Sequence, residues 1–246
     1  MAHWAHSFYE LQQQLTGCYS APVHPFHYEC VQQIQEAVPA GSLLELGAGG
    51  GQFAVAAARA FQVTALELRP SGTAHTLKLA AEHSVTLEAV TGDFYTVPLP
   101  RAFDVVCYWD GFGIDDDAGQ QHLLRRVHDW LTPTGTAFIE VFSPWYWSKY
   151  AGYSREWTTP QPSRQTYGFD AEGNRMTDTY APDGQPARTQ TLRCYSPADF
   201  LLLLNGTGLT LTKARPGGHY DPDAQVWTPA VPLSECMTWT AVLKRS

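Results

Sequence analysis

Glu45, Gly47, Gly49 and Gly51 occupy every second position of Glu45-Leu46-Gly47-Ala48-Gly49-Gly50-Gly51. The acid ends a short apolar run that begins at Leu43, and Phe53–Ala58 continues beyond the glycines as a helix. Strand, glycine turn and helix form the front of a βαβ unit. Glycine lets the backbone turn sharply and approach a ligand. The helix behind it presents unpaired N–H groups and a partial positive charge. A dinucleotide turn has the form Gly-x-Gly-x-x-Gly and seats a pyrophosphate. Here the strand acid would repel a pyrophosphate and suits a cation. Glu67 lies 18 residues beyond Gly49, at the end of the run Val63–Leu68. That spacing is close to the roughly 20 residues at which an acid grips a ribose. Its two oxygens can accept from both vicinal hydroxyls. The plainer alternative is a surface acid at a strand end.

The elements that must position these residues follow in order. Trp4, Phe8, Leu11 and Leu15 have helical spacing over 3–16. Residues 19–28 read as a loop rich in His and Tyr, with Pro22 and Pro25. A helical pattern covers 28–38, and Pro39-Ala40-Gly41 ends it before the strand. After Glu67 come a helix over 72–83, a strand over 85–90, then Gly92-Asp93-Phe94. The next strand, Phe103–Trp109, runs into Asp110-Gly111-Phe112-Gly113. A helix over 118–131 and the turn Pro133–Gly135 lead to a strand over 136–141. Residues 142–195 hold short alternating runs that predict two or more antiparallel strands. Ser196-Pro197-Ala198-Asp199 caps a helix. A strand at 209–211, a long connection over 215–236 and an antiparallel closing strand over 237–243 complete the chain. Strands alternating with helices imply a sheet wound on both faces. Its ligands bind outside the C-terminal ends of the strands.

The turn Glu45-x-Gly47-x-Gly49-x-Gly51 resembles motif I of the class I S-adenosylmethionine-dependent methyltransferases, commonly Asp/Glu-x-Gly-x-Gly-x-Gly. The resemblance extends through Glu67, Gly92-Asp93-Phe94, the aromatic end Tyr108-Trp109, and the helix-Leu-x-Pro-x-Gly-strand passage ending at 141. It is weaker over 195–214 and 236–244. It implies an α/β, doubly wound, seven-stranded and mostly parallel sheet, the Rossmann-like methyltransferase fold, with N-terminal helices and a β-rich insertion. The expected organisation is one domain over 1–246. It comprises a helical cap at 1–40, a cofactor core at 41–142, an antiparallel insertion over the substrate at 143–195, and the rest of the sheet at 196–246.

The resemblance also implies roles. S-adenosyl-L-methionine is the cofactor. Glu45 lies near its ammonium group, and Gly47, Ala48, Gly49 and Gly51 pass beneath its methionine part. Glu67 and Leu68 meet the ribose, while Gly92, Asp93 and Phe94 meet the adenine. Tyr108 and Trp109 border the sulfonium, where cation–π attraction is available; core packing is the alternative. Tyr19 is expected over the cofactor. An oxygen acceptor needs a base. Asp110 is the first candidate, though it equally suits capping the turn after it, and His219 is the second. Trp145 and Tyr146, with Trp147, are candidates for an aromatic wall on the substrate side, or else for packing of the insertion. His24 and His27 are candidates for the substrate side or for the base, in a loop folded over the cofactor, or else satisfied loop histidines. The reaction expected is methyl transfer to an N or O nucleophile of a small molecule. Two other readings stay open: a nicotinamide-dependent oxidoreductase, although no Tyr-x-x-x-Lys motif stands out, and a cofactor-binding protein without catalysis.

Composition sets bounds. The 246 residues are 44% hydrophobic and 16% charged, with a formal net charge of −8. No stretch concentrates Lys and Arg, so neither nucleic acid nor an anionic membrane has electrostatic support as a partner. The five cysteines are scattered without a Cys-x-x-Cys pair, so no zinc site or disulfide framework is indicated. Asp115-Asp116-Asp117 reads as a helix start, since adjacent acids cannot all face one ion, and no metal is expected. Without a signal-like N-terminus or a long apolar run, the expectation is a cytoplasmic monomer or homodimer.

Overall fold

The computed structural model describes residues 4–246. Residues 1–3, which the sequence places in the cap, lie outside the described residues. A seven-stranded sheet forms the centre. In chain order its strands are β1 (Gly41–Leu46), β2 (Phe61–Glu67), β3 (Glu88–Thr91), β4 (Phe103–Tyr108) and β5 (Leu131–Phe142). An insertion adds β6 (Ser154–Trp157), β7 (Ser163–Asp170), β8 (Arg175–Pro182) and β9 (Arg188–Arg193) as a separate antiparallel sheet. The main sheet resumes with β10 (Leu209–Pro216). A small hairpin follows, β11 (His219–Asp221) with β12 (Val226–Thr228), and then β13 (Thr238–Arg245). The main order is β10-β13-β5-β4-β1-β2-β3. Only β13 opposes its neighbours, running antiparallel to both β5 and β10.

Alternation along the strands explains the double winding. Leu43, Val105 and Phe138 face one side, against Val31 and Ile34 of α2 (Pro25–Gln35) and Phe53 of α3 (Gln52–Ala57). Leu44, Val106 and Ile139 face the other, against Leu123 and Val127 of α5 (Asp117–Trp130) and Phe200 of α7 (Pro197–Leu203). Strands buried on both faces read as continuous apolar runs. Each fully buried Leu or Val contributes about 1.5–3 kcal/mol. α4 (Pro70–Glu82) packs on β2 and β3. Trp239 is fully buried, and its indole N–H donates to Tyr195 O at 2.9 Å, tying β13 to the end of the insertion.

Several boundaries differ from expectation. Pro at the first helical position starts α4 at residue 70, two residues early. The turn at Pro133–Gly135 is absorbed into a continuous β5, and the β4–β5 register shifts between Phe103 and Val105. Ser143–Trp147, read as the opening of the insertion, folds into α6 (Pro144–Lys149), again with Pro at its start. The insertion has four strands, and the long connection over 215–236 carries the β11–β12 hairpin.

α1 (Ala5–Thr16) buries Phe8, Leu11 and Leu15. Its partner is the insertion, with the Phe8 and Tyr180 ring centroids 5.6 Å apart. Gly17 ends it in the left-handed conformation, and a 3-10 turn at Cys18–Ser20 follows. The supposed loop at 19–28 is shorter than expected, because α2 already begins at Pro25.

Candidate active site

The strand order reverses between β1 and β4, since β2 and β3 lie to one side and β5 to the other. Such a switch point opens a crevice at the C-terminal strand ends. The glycine turn leaves β1 there, and Tyr108-Trp109-Asp110 leaves β4 beside it. The crevice between them is lined by Gly47, Gly49, Glu67 and Leu68 on one side and by Phe94, Tyr108, Trp109 and Asp110 on the other. Tyr19 covers it, so nine of the expected residues meet in one place. Tyr9, Arg69, Gly111 and Ile114 also line it and were not foreseen. A wider, open groove lies between residues 96–102 and the end of α5. Its walls precede β4 and β5, at the opposite end of the sheet from the switch point.

The turn is built around Glu67. Its Oε2 accepts from Gly49 N at 2.9 Å, and its Oε1 accepts from Arg69 N at 3.1 Å and Arg69 Nε at 3.2 Å. The glycine loop and the end of β2 are thereby held on one carboxylate. Gly49 has φ +59°, and a Cβ there would come within 2.9 Å of the Tyr19 ring. Gly51 has φ +81°, and its Cβ would strike Thr76 of α4 at 2.4 Å. The first glycine leaves room in the crevice, and the second lets α3 and α4 approach. Ala48 closes the turn, its N–H donating to Leu66 O.

Glu45 is buried under the turn, and its Oε2 has no hydrogen-bond partner. Burial, then the charge of Glu67, pushes its carboxyl well above the usual range. A buried orphan acceptor is costly unless a donor or cation meets it. Gly92 N donates to Glu67 O at 2.9 Å, and Asp93 Oδ1 accepts from Tyr95 N at 2.8 Å. Gly92 and Asp93 thus shape the turn after β3 that carries Phe94 into the crevice.

The N-terminal elements close over the crevice. Tyr19 OH donates to Gln12 Oε1 at 2.5 Å, and Tyr19 N donates to Gln13 Oε1 at 2.8 Å. The Arg69 guanidinium stacks on the Tyr19 ring at 4.2 Å. Arg69 is 3% exposed, and its Nη2 has no partner.

Asp110 has φ +50°, and its N–H donates to Glu140 Oε2 at 2.8 Å. The other Glu140 oxygen accepts from Thr238 Oγ1 at 2.9 Å. Crowding by the surrounding protein, then the charges of Glu140 and Asp178, pushes the Asp110 carboxyl up to about 7. The residue is nonetheless exposed along the crevice. Solvent there screens the carboxylate and draws it back toward the ordinary carboxylate range, so the group stays raised without being locked in its acid form.

The remaining expected residues sit elsewhere. His24 and His27 form a capping box on α2: His24 Nδ1 accepts from Phe26 N, and His27 Nδ1 accepts from His24 N at 2.9 Å. The Nδ1 of each ring serves the helix start and neither residue lines the crevice, which corrects the reading of a loop folded over the ligand. His219 does not line the crevice. Its Nδ1 donates to Glu235 O at 2.6 Å, so its Nε2 accepts from Tyr150 OH at 3.1 Å. Both nitrogens are committed in the neutral form. Tyr146 donates to Tyr220 O at 2.7 Å and packs on His219, joining α6 to β11. Trp145 lies on the same short helix, partly buried.

Sequence reasoning missed Tyr9, Arg69 and Asp178. Tyr9 and Arg69 are one and two positions from residues that were read, Phe8 and Glu67. Asp178 sits within an alternating run, where its burial depends on strand pairing that spacing alone does not give.

Residues 43–135 match the family model described as a methyltransferase domain. No curated protein sequence matches the chain. Among solved structures, the CcbJ methyltransferase from Streptomyces caelestis superposes with a TM-score of 0.71 at 20% identity, covering 93% of this chain and 92% of that one. A S-adenosylmethionine-dependent methyltransferase from Clostridium acetobutylicum ATCC 824 gives 0.72 at 13% identity, covering 98% of each chain. CalS10, a S-adenosylmethionine-bound amino pentose methyltransferase from Micromonospora echinaspora, gives 0.63 at 17% identity and 92% of each. These likenesses extend the fold over the insertion and the N-terminal helices. The orphan Glu45 carboxylate suits an ammonium, and the glycine cradle leaves space for a ligand. Residues 43–135 thus match a methyltransferase domain, and the fold around them is the one shared by these S-adenosylmethionine-dependent methyltransferases.

Proposed function

We propose that the enzyme methylates the amino nitrogen of a small, hydroxylated molecule such as an amino sugar. The observation that carries this reading is Asp110. It stands in the crevice at the end of β4, lifted toward neutrality, with Glu140 behind it. An amine arrives at neutral pH as an ammonium and must shed a proton before its lone pair can attack. A carboxylate that titrates near 7 both attracts that cation and takes its proton. The name of CalS10, an amino pentose methyltransferase, supports the same substrate class.

Bound S-adenosylmethionine supplies a methyl group on a sulfonium, open to in-line displacement. The chain does the rest. Glu67 and the glycine turn hold the nucleoside end, and Glu45 answers the ammonium. Tyr9, Tyr19 and Arg69 cover the crevice and limit water. Tyr108 and Trp109 give an aromatic border on the β4 side. Asp110 orients the incoming nitrogen and accepts its proton. Holding the reactants at attack distance supplies much of the acceleration.

The test is a methylation assay by mass spectrometry on amino glycosides paired with the corresponding hydroxyl glycosides. Gain of one methyl on the amines and none on the alcohols supports the reading. Transfer to the alcohols alone would replace it by O-methylation. Binding of the cofactor with no transfer to any acceptor would mark a silent binding protein.

A further inference from the structure

The insertion sheet buries an unusual polar face against α1 and the main core. On β8, Met176, Asp178, Tyr180 and Pro182 are buried while the residues between them are not. Met176 joins the main core, and Tyr180 packs on Phe8 of α1. Asp178 stands between them, 3% exposed. Its cross-strand neighbours are Tyr167 and Gln190. Gln165 Nε2 donates to Asp178 Oδ1 at 2.8 Å, and Gln190 Nε2 donates to Oδ2 at 3.3 Å. The hydroxyls of Tyr167 and Tyr180 each lie 3.0 Å from Gln165 Nε2 and share its second hydrogen, and Gln165 Oε1 accepts from Arg155 Nε at 2.6 Å. Every donor to Asp178 is a neutral amide, and no ion pair reaches it among the described residues.

A buried carboxylate that only neutral amides touch costs stability unless something repays it. Burial raises Asp178 to about 6, with the two glutamines and Arg155 pulling the other way, so it is largely ionised at neutral pH. Its charge is felt by Asp110 and by Tyr9, both lining the cofactor crevice. A separate observation points to a ligand on this face. Trp147 is 6% exposed, its indole N–H has no acceptor, and its ring lies 5.2 Å from that of Tyr167. Carboxylates seek a cation, while an orphan donor seeks a hydroxyl oxygen.

We infer that the inner face of β7–β9 is the acceptor-binding site, with Asp178 as the residue that recognises the acceptor's ammonium group and the Tyr167–Trp147 edge receiving its hydroxyls. This rests on the amine reading above and goes further, because it assigns specificity to the insertion. Asp110 takes the proton at the reacting nitrogen, and Asp178 draws the charged acceptor in beforehand. The ligand class is a primary or secondary ammonium on a polyhydroxylated frame.

The experiment uses the full chain saturated with S-adenosylhomocysteine at pH 8. The probes are the 2-, 3- and 4-amino methyl glucosides, with methyl glucoside as the uncharged control. Thermal shift and calorimetry are read on wild type and Asp178→Asn, with Asp178→Ser as the second variant should the first not fold. The expected result is a wild-type shift with at least one amine and none with the control. In Asp178→Asn that amine binds at least tenfold more weakly. S-adenosylhomocysteine binding is unchanged, and the variant's own melting temperature is equal or higher, because a buried charge is gone. Equal amine binding in both proteins overturns the role of Asp178 and leaves the amine reading standing. Equal shifts with amine and control in wild type overturn the amine reading itself. A lower melting temperature with lost S-adenosylhomocysteine binding marks Asp178 as structural, and no shift with any probe removes the site.

Discussion

Asp110 holds φ +50°, a left-handed conformation that costs a non-glycine residue roughly 1 kcal/mol or more. Its backbone N–H is fixed by Glu140, so the side chain is held in the crevice rather than turned back to cap the following glycines. The proposed proton transfer has a pH signature. Ionised Asp110 is the active form, so kcat/KM should fall as pH drops through about 7. The positive sulfonium lowers that midpoint in the cofactor-loaded enzyme. Asp110→Asn should lose this acid limb and about 10²–10⁴ in kcat, while still binding S-adenosylhomocysteine. A full acid limb in the variant would assign the titration to another group.

At this scale Glu45, Glu67 and Asp110 were legible because each ends a strand at a fixed distance from the glycine turn. The histidines were not. His24, His27 and His219 have side chains suited to catalysis, but all are engaged in local hydrogen bonds. The helix start at Pro25 and the Tyr150 contact arise only in the folded chain.

Among the elements, α2 is the one whose start most changes the reading. Its capping box needs His24 and His27 as acceptors, so both rings must be unprotonated at Nδ1. His27 is held below its ordinary value, first by burial and also by the neighbouring His24 charge. A histidine depressed in the folded state stabilises fully above its unfolded value near 6.5, and that stability is lost as pH falls through the lower folded value. His27→Ala should therefore cost about 0.5–1 kcal/mol at pH 8 in urea unfolding, with a smaller loss at pH 5 and unchanged kcat. A large fall in kcat would return His27 to the substrate side.

The insertion shows how far element patterns carry. Its alternating runs predicted antiparallel strands, and four form. Their number and inner face depend on pairing across the Pro182–Gly184 turn and on packing against α1. These are long-range contacts, invisible in a local period. α6 was missed for a similar reason: Trp145, Tyr146 and Trp147 look like strand residues, and Pro144 with the packing of Trp147 on Phe142 makes them a helix.

For the whole molecule, the order β3-β2-β1-β4-β5 with an antiparallel β13 follows from the alternation of apolar strands and amphipathic helices. That pattern was readable because both faces of the central sheet are buried and β1, β4 and the inner part of β5 are largely apolar. It also fixes where a ligand must go. The crevice over β1 and β4 gathers the acid-flanked glycine turn, Glu67 and Asp110 from three strand ends. Tyr9 of α1 and Tyr19 after it close over it.

The most direct test of that arrangement is titration calorimetry with S-adenosylhomocysteine and NAD on wild type and Glu67→Ala. Wild type should bind one S-adenosylhomocysteine per chain and bind NAD far more weakly or not at all. Glu67→Ala should weaken S-adenosylhomocysteine by about 10–100-fold, as loss of hydrogen bonds to a buried charged acceptor predicts. Tighter binding of NAD, or undiminished affinity in Glu67→Ala, would contradict the account.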